Sequence, residues 1–376
     1  MEKKQTDTIV IGAGIVGLAV AWALLRKGLS VVLFERSRAA SGASIRNFGM
    51  VWPIGQPGGK LLNRALRSRE LWIEAAHQAG FWINQNGSLH LAYHEFEWQV
   101  LNEFYDQSIS KGYNCRLVTP VEAKQLSPYI KTSGLLGGLF SSTECVVYAR
   151  EAVRLLPEWL RHRYQIEFRF NTPVLHVSGN EVLTANETWK AQKIFVCSGV
   201  DFETLYPEIF RNQPVTKCKL QMMRAVKKQA SAQGPSLCAG LTLRHYASFS
   251  SCPSVARLNQ YYDEQSPVYR EYGIHVLVSQ NQSGEFIIGD SHQYGLHHDP
   301  FNDEVINQHI LNYLSTFFET ADLQLVERWN GYYAKMENGA SELVIQPEPN
   351  IYIINGLGGA GMTLSFGLAE ELVNNL

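Results

Sequence analysis

Near the start of the chain, Gly12-Ala13-Gly14-Ile15-Val16-Gly17 has the residue types and spacing to cradle a pyrophosphate. Gly12 allows a tight turn, Gly14 lets a phosphate approach the backbone, and Gly17 lets a helix pack closely on a strand. A helix beginning here presents free N–H groups and partial positive charge to an anion. Glu35 lies 21 residues beyond Gly14, where a carboxylate can accept hydrogen bonds from a ribose. Ala13, Ile15 and Arg36 complete this expected contact set. The elements needed to position these residues are legible around them. A buried strand is expected over 8–11, an apolar helix over 18–27 stopping at Gly28, and a second strand over 31–34. A bound dinucleotide is the reading that uses all of these features.

A second glycine cluster, Asn355-Gly356-Leu357-Gly358-Gly359-Ala360-Gly361-Met362-Thr363, joins a strand over 351–354 to a last helix from Met362. Gly358, Gly359, Gly361, Met362 and Thr363 would place another helix N-terminus against a ring or a phosphate. A nicotinamide enzyme has no need of it. A flavin does, because reduction leaves negative charge that a helix N-terminus stabilises.

Bulk properties agree with an enzyme. The chain has 376 residues, 45% apolar and 18% charged, room for about two domains and a large core. A net charge of −2 gives no electrostatic case for nucleic acid or an anionic membrane. The six cysteines (115, 145, 197, 218, 238 and 252) show no CxxC and no metal spacing, which fits reduced thiols, a cytoplasmic protein and no metal. Lys3-Lys4 followed by an apolar run imitates a secretion leader, but the spaced glycines and the absence of a small-residue cleavage site argue against one. No stretch reaches the length of a membrane span.

Between the glycine clusters, helices are expected over 60–79, over 94–111, after the capping box Thr119-Pro120-Val121-Glu122, over 150–163 with an interruption at Pro157, and over 302–318. Strands are expected over 166–170, 174–177 and 194–197. The stretch 216–295 reads mainly as strands, including 275–279 and 285–288. A dinucleotide fold at both ends with a β-rich insert makes the cofactor domain discontinuous. The expected boundaries are 1–80, 148–215 and 327–376 for the cofactor domain, and 81–147 and 216–326 for the substrate domain.

With these motifs in place, the chain resembles, essentially end to end, the FAD-dependent amine and amino-acid oxidoreductases, the group of glycine oxidase, sarcosine oxidase and D-amino-acid oxidase. The resemblance implies an α/β (α+β overall) fold, with a Rossmann-like FAD-binding domain and a discontinuous, mixed-sheet substrate-binding domain over one flavin face. It places Ser44, Arg46, Asn47 and Gly49 on a loop along the pyrophosphate and flavin. Val174 falls at the strand whose backbone meets the adenine, and Ser198-Gly199 at the turn after the next cofactor strand. Some sarcosine oxidases tether FAD through a cysteine; Arg328-Trp329-Asn330-Gly331-Tyr332-Tyr333 has none, so noncovalent FAD is expected. Glycine oxidases carry an arginine where Tyr333 stands, and that arginine pairs with the substrate carboxylate. Its loss calls for other groups to hold a substrate anion.

The resemblance makes His292, Tyr333 and Arg46 the catalytic candidates, with His292 and Tyr333 orienting the amine. Met50, Trp52, Arg244, Tyr246 and Arg328 are candidate substrate contacts. Alternatives stand beside these: His292 as a structural histidine, Arg46 on a cofactor phosphate, Arg244-His245-Tyr246 as strand decoration, Arg328 in an ion pair, Met50 and Trp52 as core. Residues 46–53 with Gly289-Asp290-Ser291-His292 also resemble a subgroup associated with phosphonate metabolism, for which deamination of an aminophosphonate has been proposed. The expected reaction is hydride transfer from the α-carbon of a small neutral amine to flavin N5, with dioxygen or another acceptor reoxidising the cofactor. A hydroxy-acid or glycerol-phosphate dehydrogenase is the alternative, with His292 as its base. A noncatalytic FAD scaffold is the third.

Overall fold

The computed structural model describes residues 4–164, 166–228 and 233–376; Lys3 and residues 229–232, on which parts of the expectations above fell, lie outside the described residues. The first strand spans Lys4–Ile11, the helix Ile15–Arg26 and the second strand Val31–Phe34. The two strands pair in parallel, Thr8 opposite Val31 through Ile11 opposite Phe34. On its other side Lys4–Ile11 pairs in parallel with Thr188–Val196, and that strand pairs in parallel with Ile351–Asn355. The carboxyl ends of these four parallel strands therefore lie along one edge of the sheet, where open α/β sheets form their ligand crevice. Val174–Ser178, Glu181–Thr184, Glu167–Arg169 and Leu343–Glu348 extend the sheet to eight strands.

Three helices, Ile15–Arg26, Lys60–Ala79 and Gly361–Asn374, pack together beside this sheet. Trp22, Trp72 and Phe366 meet edge-to-face at their junction, with Trp22–Phe366 and Trp72–Phe366 centroids 5.3 and 4.8 Å apart. Gly367 is required there, because a Cβ would lie 2.5 Å from the Arg64 carbonyl oxygen.

A second sheet has nine strands. Its spine is Val215–Lys227, antiparallel to Leu323–Met336 along its length and to Phe286–Gly289 and Gln293–Gly295 on the other edge. Leu277–Gln280, Ser236–Cys238, Ser88–Ala92, Gly137–Ser141 and Cys115–Val118 continue it. Strand Leu323–Met336 belongs wholly to this sheet, and its far end leads back toward the terminal glycine turn.

Two expectations need correction. The stretch 216–295 contains helices Gly240–His245, Val255–Gln265 and Val268–Glu271 as well as strands. Leu258 and Tyr262 are its buried residues at helical spacing, and they pack into the core that also holds Phe104 and Leu101 of helix Glu95–Lys111. Helix Ala149–Tyr164 runs through Pro157 without a break. The lost bond and clash cost about 3 kcal/mol. Burial of Val153, Leu156, Trp159 and Leu160 offsets this at roughly 1.5–3 kcal/mol per side chain. Among the described residues, no helix is long and apolar enough to cross a membrane.

Candidate active site

The first glycine turn has the geometry of an anion cradle. Gly12 has φ +105°, and a Cβ on it would lie 2.3 Å from the Cys197 carbonyl oxygen. A Cβ on Gly17 would lie 1.9 Å from the Gly12 carbonyl oxygen. Helix Ile15–Arg26 begins at Gly14 with no side-chain cap and no acid in its first turn, so its N-terminal charge is not neutralised within the helix. Glu35 is held ready: Oε2 accepts from the Ala13 N–H at 2.9 Å and Oε1 from the Ser37 N–H at 2.9 Å. Ser44 Oγ accepts from the Ile15 N–H at 2.9 Å, drawing the next loop onto the cradle.

That loop is fixed by Asn47, which donates to the carbonyls of Ala43 and Ser44 and accepts from the Gly49 N–H at 2.7 Å. Arg46 donates to the Asn330 carbonyl at 3.2 Å, while its own carbonyl accepts from Trp329 Nε1. Asn355 donates to the Gly199 carbonyl at 2.8 Å, which joins the Ser198-Gly199 turn to the terminal glycines. Gly356 and Gly358 have φ +71° and +58°. Helix Gly361–Asn374 then starts without a side-chain cap or an early acid. Thr363 Oγ1 accepts from the Trp52 N–H at 3.0 Å and the Met362 carbonyl from Trp72 Nε1 at 2.7 Å. Two uncapped helix N-termini, glycines where a Cβ would collide, and a backbone-anchored carboxylate are a donor set suited to an extended diphosphate with an electron-accepting ring.

The structure brings some candidates together and separates others. Tyr333 stands at the terminal turn, its hydroxyl 3.7 Å from where a Cβ on Gly359 would sit. Its ring is 6.3 Å from His292. Tyr246 packs against Trp52 with centroids 6.1 Å apart, and Met50 and Trp52 are buried beside the cradle loop. Val174 is buried at the start of its strand. Three arginines are engaged elsewhere. Arg244 is paired with Asn259 at 2.8 Å and Asp263 at 2.5 Å, and Arg328 with Glu304 at 2.9 Å. Arg36 is exposed and paired with Asp201 at 2.6 Å. Arg244-His245-Tyr246 also lies at the end of helix Gly240–His245, not on a strand, so Arg244 faces Val255–Gln265 while its neighbours face the site.

Sequence reasoning singled out His292 but not the cluster around it. His245, His275 and His292 come together from three segments, with centroids 3.7 Å apart for His245–His275, 4.8 Å for His275–His292 and 5.0 Å for His245–His292. Asp290 Oδ1 lies 3.3 Å from His275 Nε2, and Oδ2 lies 3.7 Å from His292 Nε2. Asp290 Oδ1 and both His275 nitrogens are buried without a hydrogen-bond partner. His292 Nδ1 meets the Gly273 carbonyl at 2.8 Å. A carbonyl only accepts, so the proton is on Nδ1. Lys335 donates to the Tyr294 hydroxyl at 3.0 Å and packs along Gly358. Burial holds His292 down at about 4, and burial with the neighbouring imidazoles and Lys335 holds His275 well below the usual histidine value. Burial raises Asp290 well above the usual carboxylate range. Both imidazoles are thus neutral near pH 7, and Asp290 holds its proton more tightly than an exposed carboxyl does. The His275 and His292 planes are within 12° of parallel, and the three histidines each bring a ring nitrogen within 4.8 Å of the others. The sequence signals were the tripeptide at 244–246 and the run Asp290-Ser291-His292.

Fold and cradle define a flavin-dependent oxidoreductase. A family model described as "FAD dependent oxidoreductase" (DAO) matches residues 7–375, and the chain belongs to that family. Glycine oxidase from Geobacillus kaustophilus is 24% identical over 205 residues, 51% of this chain and 54% of that protein. A glycerol 3-phosphate dehydrogenase from Caloramator mitchellensis is 20% identical over 202 residues, 52% of this chain and 42% of that protein. The chain spans about half, or less, of the length of the curated relatives it matches. Among solved structures, L-proline dehydrogenase from P. horikoshii has a TM-score of 0.80 at 20% identity, covering 99% of this chain and 93% of that one. The G. kaustophilus glycine oxidase structure scores 0.79 at 19% identity, with 100% and 95% covered. The fold is shared, and FAD is the cofactor this family's cradle serves.

Proposed function

We propose that this chain oxidises a small amine or amino acid at its α-carbon, and that hydrolysis of the resulting imine gives a carbonyl compound and ammonia. When bound, FAD supplies the hydride acceptor. Gly12, Ala13, Gly14, Ile15, Gly17 and Ser44 would hold its diphosphate, Glu35 a ribose, and Val174, Ser198 and Gly199 the adenine half. Arg46, Asn47, Gly49, Gly358, Gly359, Gly361, Met362 and Thr363 would line the ring, with no covalent link. The domain division at 80, 147, 215 and 326 is part of the same proposal.

The observation that carries the reading is the cluster of three imidazoles, His245, His275 and His292, with Tyr333 between it and the terminal glycine turn. A substrate amine must lose its ammonium proton before hydride can leave, because the nitrogen lone pair stabilises the developing iminium. Alkylammonium groups titrate near pH 10. A ring nitrogen of this cluster can accept that proton, whereas a hydroxyl proton is far less acidic and asks for a stronger base. Tyr333, Tyr246 and Lys335 face the same region and would orient the substrate and its anionic group. A point cation and hydroxyls in place of an arginine fork suit a tetrahedral anion, and an aminophosphonate is the substrate we put forward. The likeness to glycine oxidase supports amine chemistry. The likeness to glycerol 3-phosphate dehydrogenase keeps a hydroxyl substrate as the second reading.

Turnover with a panel of amino acids, N-methyl amino acids, aminophosphonates, glycerol phosphate and 2-hydroxy acids tests it, scored by ammonia and carbonyl formed. Ammonia release from at least one amine is expected. Consumption of a hydroxyl substrate with no ammonia from any amine would refute the proposal.

A further inference from the structure

We propose that His245 is the residue that takes the ammonium proton from the substrate; this rests on the amine reading above. His245 is the exposed member of its cluster, whereas the side chains of His275 and His292 are 5% and 4% exposed. His292, the sequence candidate, is turned inward, one nitrogen on Gly273 and the other toward Asp290. It is therefore a positioning residue. His245 lies over the inner pair, its ring tilted 32° to His275.

The groups facing His245 come from every neighbouring element. They are His275 and His292, Tyr246 edge-on at 5.1 Å, and Lys335 from strand Leu323–Met336. Asp290 lies behind His275, and Tyr294 and Tyr333 lie beyond His292. Burial, then His292 and Lys335, hold His245 below the usual histidine value, although part of the ring is exposed. In the transfer, one N–H bond of the substrate ammonium breaks and one forms on a ring nitrogen of His245. The lone pair stays on the substrate nitrogen, and no electrons are gained or lost. The proton returns to solvent from the exposed ring after product leaves.

The test is anaerobic stopped-flow reduction of the FAD-loaded protein, in wild type, His245→Asn and His292→Asn, across pH, with an amine that reduces the wild type. His245→Asn should retain FAD yet lose about 100-fold in reduction rate near neutrality. It should also lose the acidic limb of the pH profile and regain rate with added imidazole. His292→Asn should not be rescued. Nitrogen-15 NMR of histidine-labelled, FAD-loaded protein gives an independent readout: the imidazole titration matching the acidic limb should vanish in His245→Asn. An unchanged rate and limb in His245→Asn overturns the proposal alone. If no amine reduces the wild type, the amine reading fails and the proposal falls with it.

Discussion

The N–H groups of Ala13 and Ser37 both end on the Glu35 carboxylate, so this one side chain braces the glycine turn. Hydrogen bonds to a charged group are worth about 1.5–3 kcal/mol. Glu35→Gln is expected to weaken FAD binding by about 10-fold or more, measured by fluorescence quenching on reconstitution of stripped protein. Tyr333 makes a second residue-scale statement. Restoring a fork with Tyr333→Arg should lower KM for amino carboxylates relative to aminophosphonates by roughly 10-fold, at about 1.4 kcal/mol per decade. Equal changes for both anions would show that Tyr333 does not face the anionic group. The glycines were legible in the sequence because their requirement is local steric geometry. Of the histidine cluster only His292 stood out, because residues 245, 275 and 290–292 meet only through sheet pairing and a helix end.

At the scale of elements, the cradle depends on close approach between a strand, a helix and a loop. Gly17→Ala would put a methyl 1.9 Å from the Gly12 carbonyl oxygen, a backbone atom that no side-chain rotation can move aside. Overpacking of this kind costs typically 1–3 kcal/mol or more. The variant should melt several degrees lower and purify without FAD. Normal FAD content with an unchanged melting temperature would contradict the assigned packing. Elements with strong periodicity and caps were readable: helix Lys60–Ala79 ends at left-handed Gly80, and Thr119 and Glu122 form the reciprocal capping box. The helices within 216–295 were not readable. They are short, and their apolar residues serve a core shared with distant strands.

For the whole molecule, buried titratable groups set the pH range of stability. Burial holds His90 down at about 3 and His292 at about 4, below the ordinary value of 6.5. Both rings fold neutral, so their contribution is present above pH 6.5 and is lost as pH falls toward about 4 and then 3. His90→Gln should flatten the fall of melting temperature over that interval. Asp290 has the opposite sign: it folds protonated, so its contribution is present at low pH and lost as pH rises through its raised value. Asp290→Asn should therefore gain stability over wild type as pH rises above the ordinary carboxyl value of 3.8, seen as a melting-temperature difference that widens until the raised value is passed. The cofactor half of the fold was legible from its two terminal motifs. The nine-stranded sheet was foreseen as strand-rich but not in its order, because antiparallel partners such as 215–227 and 323–336 are far apart in sequence and carry no local signature of their pairing.

The central claim is that the flavin-loaded chain accepts hydride from a small amine. The most direct measurement is its visible absorbance on anaerobic mixing with matched pairs: glycine, sarcosine and alanine against their aminophosphonate analogues, with glycerol phosphate and 2-hydroxy acids as controls. Bleaching by an amine, strongest with an aminophosphonate, is the expected result. Bleaching by hydroxyl compounds alone would contradict the claim.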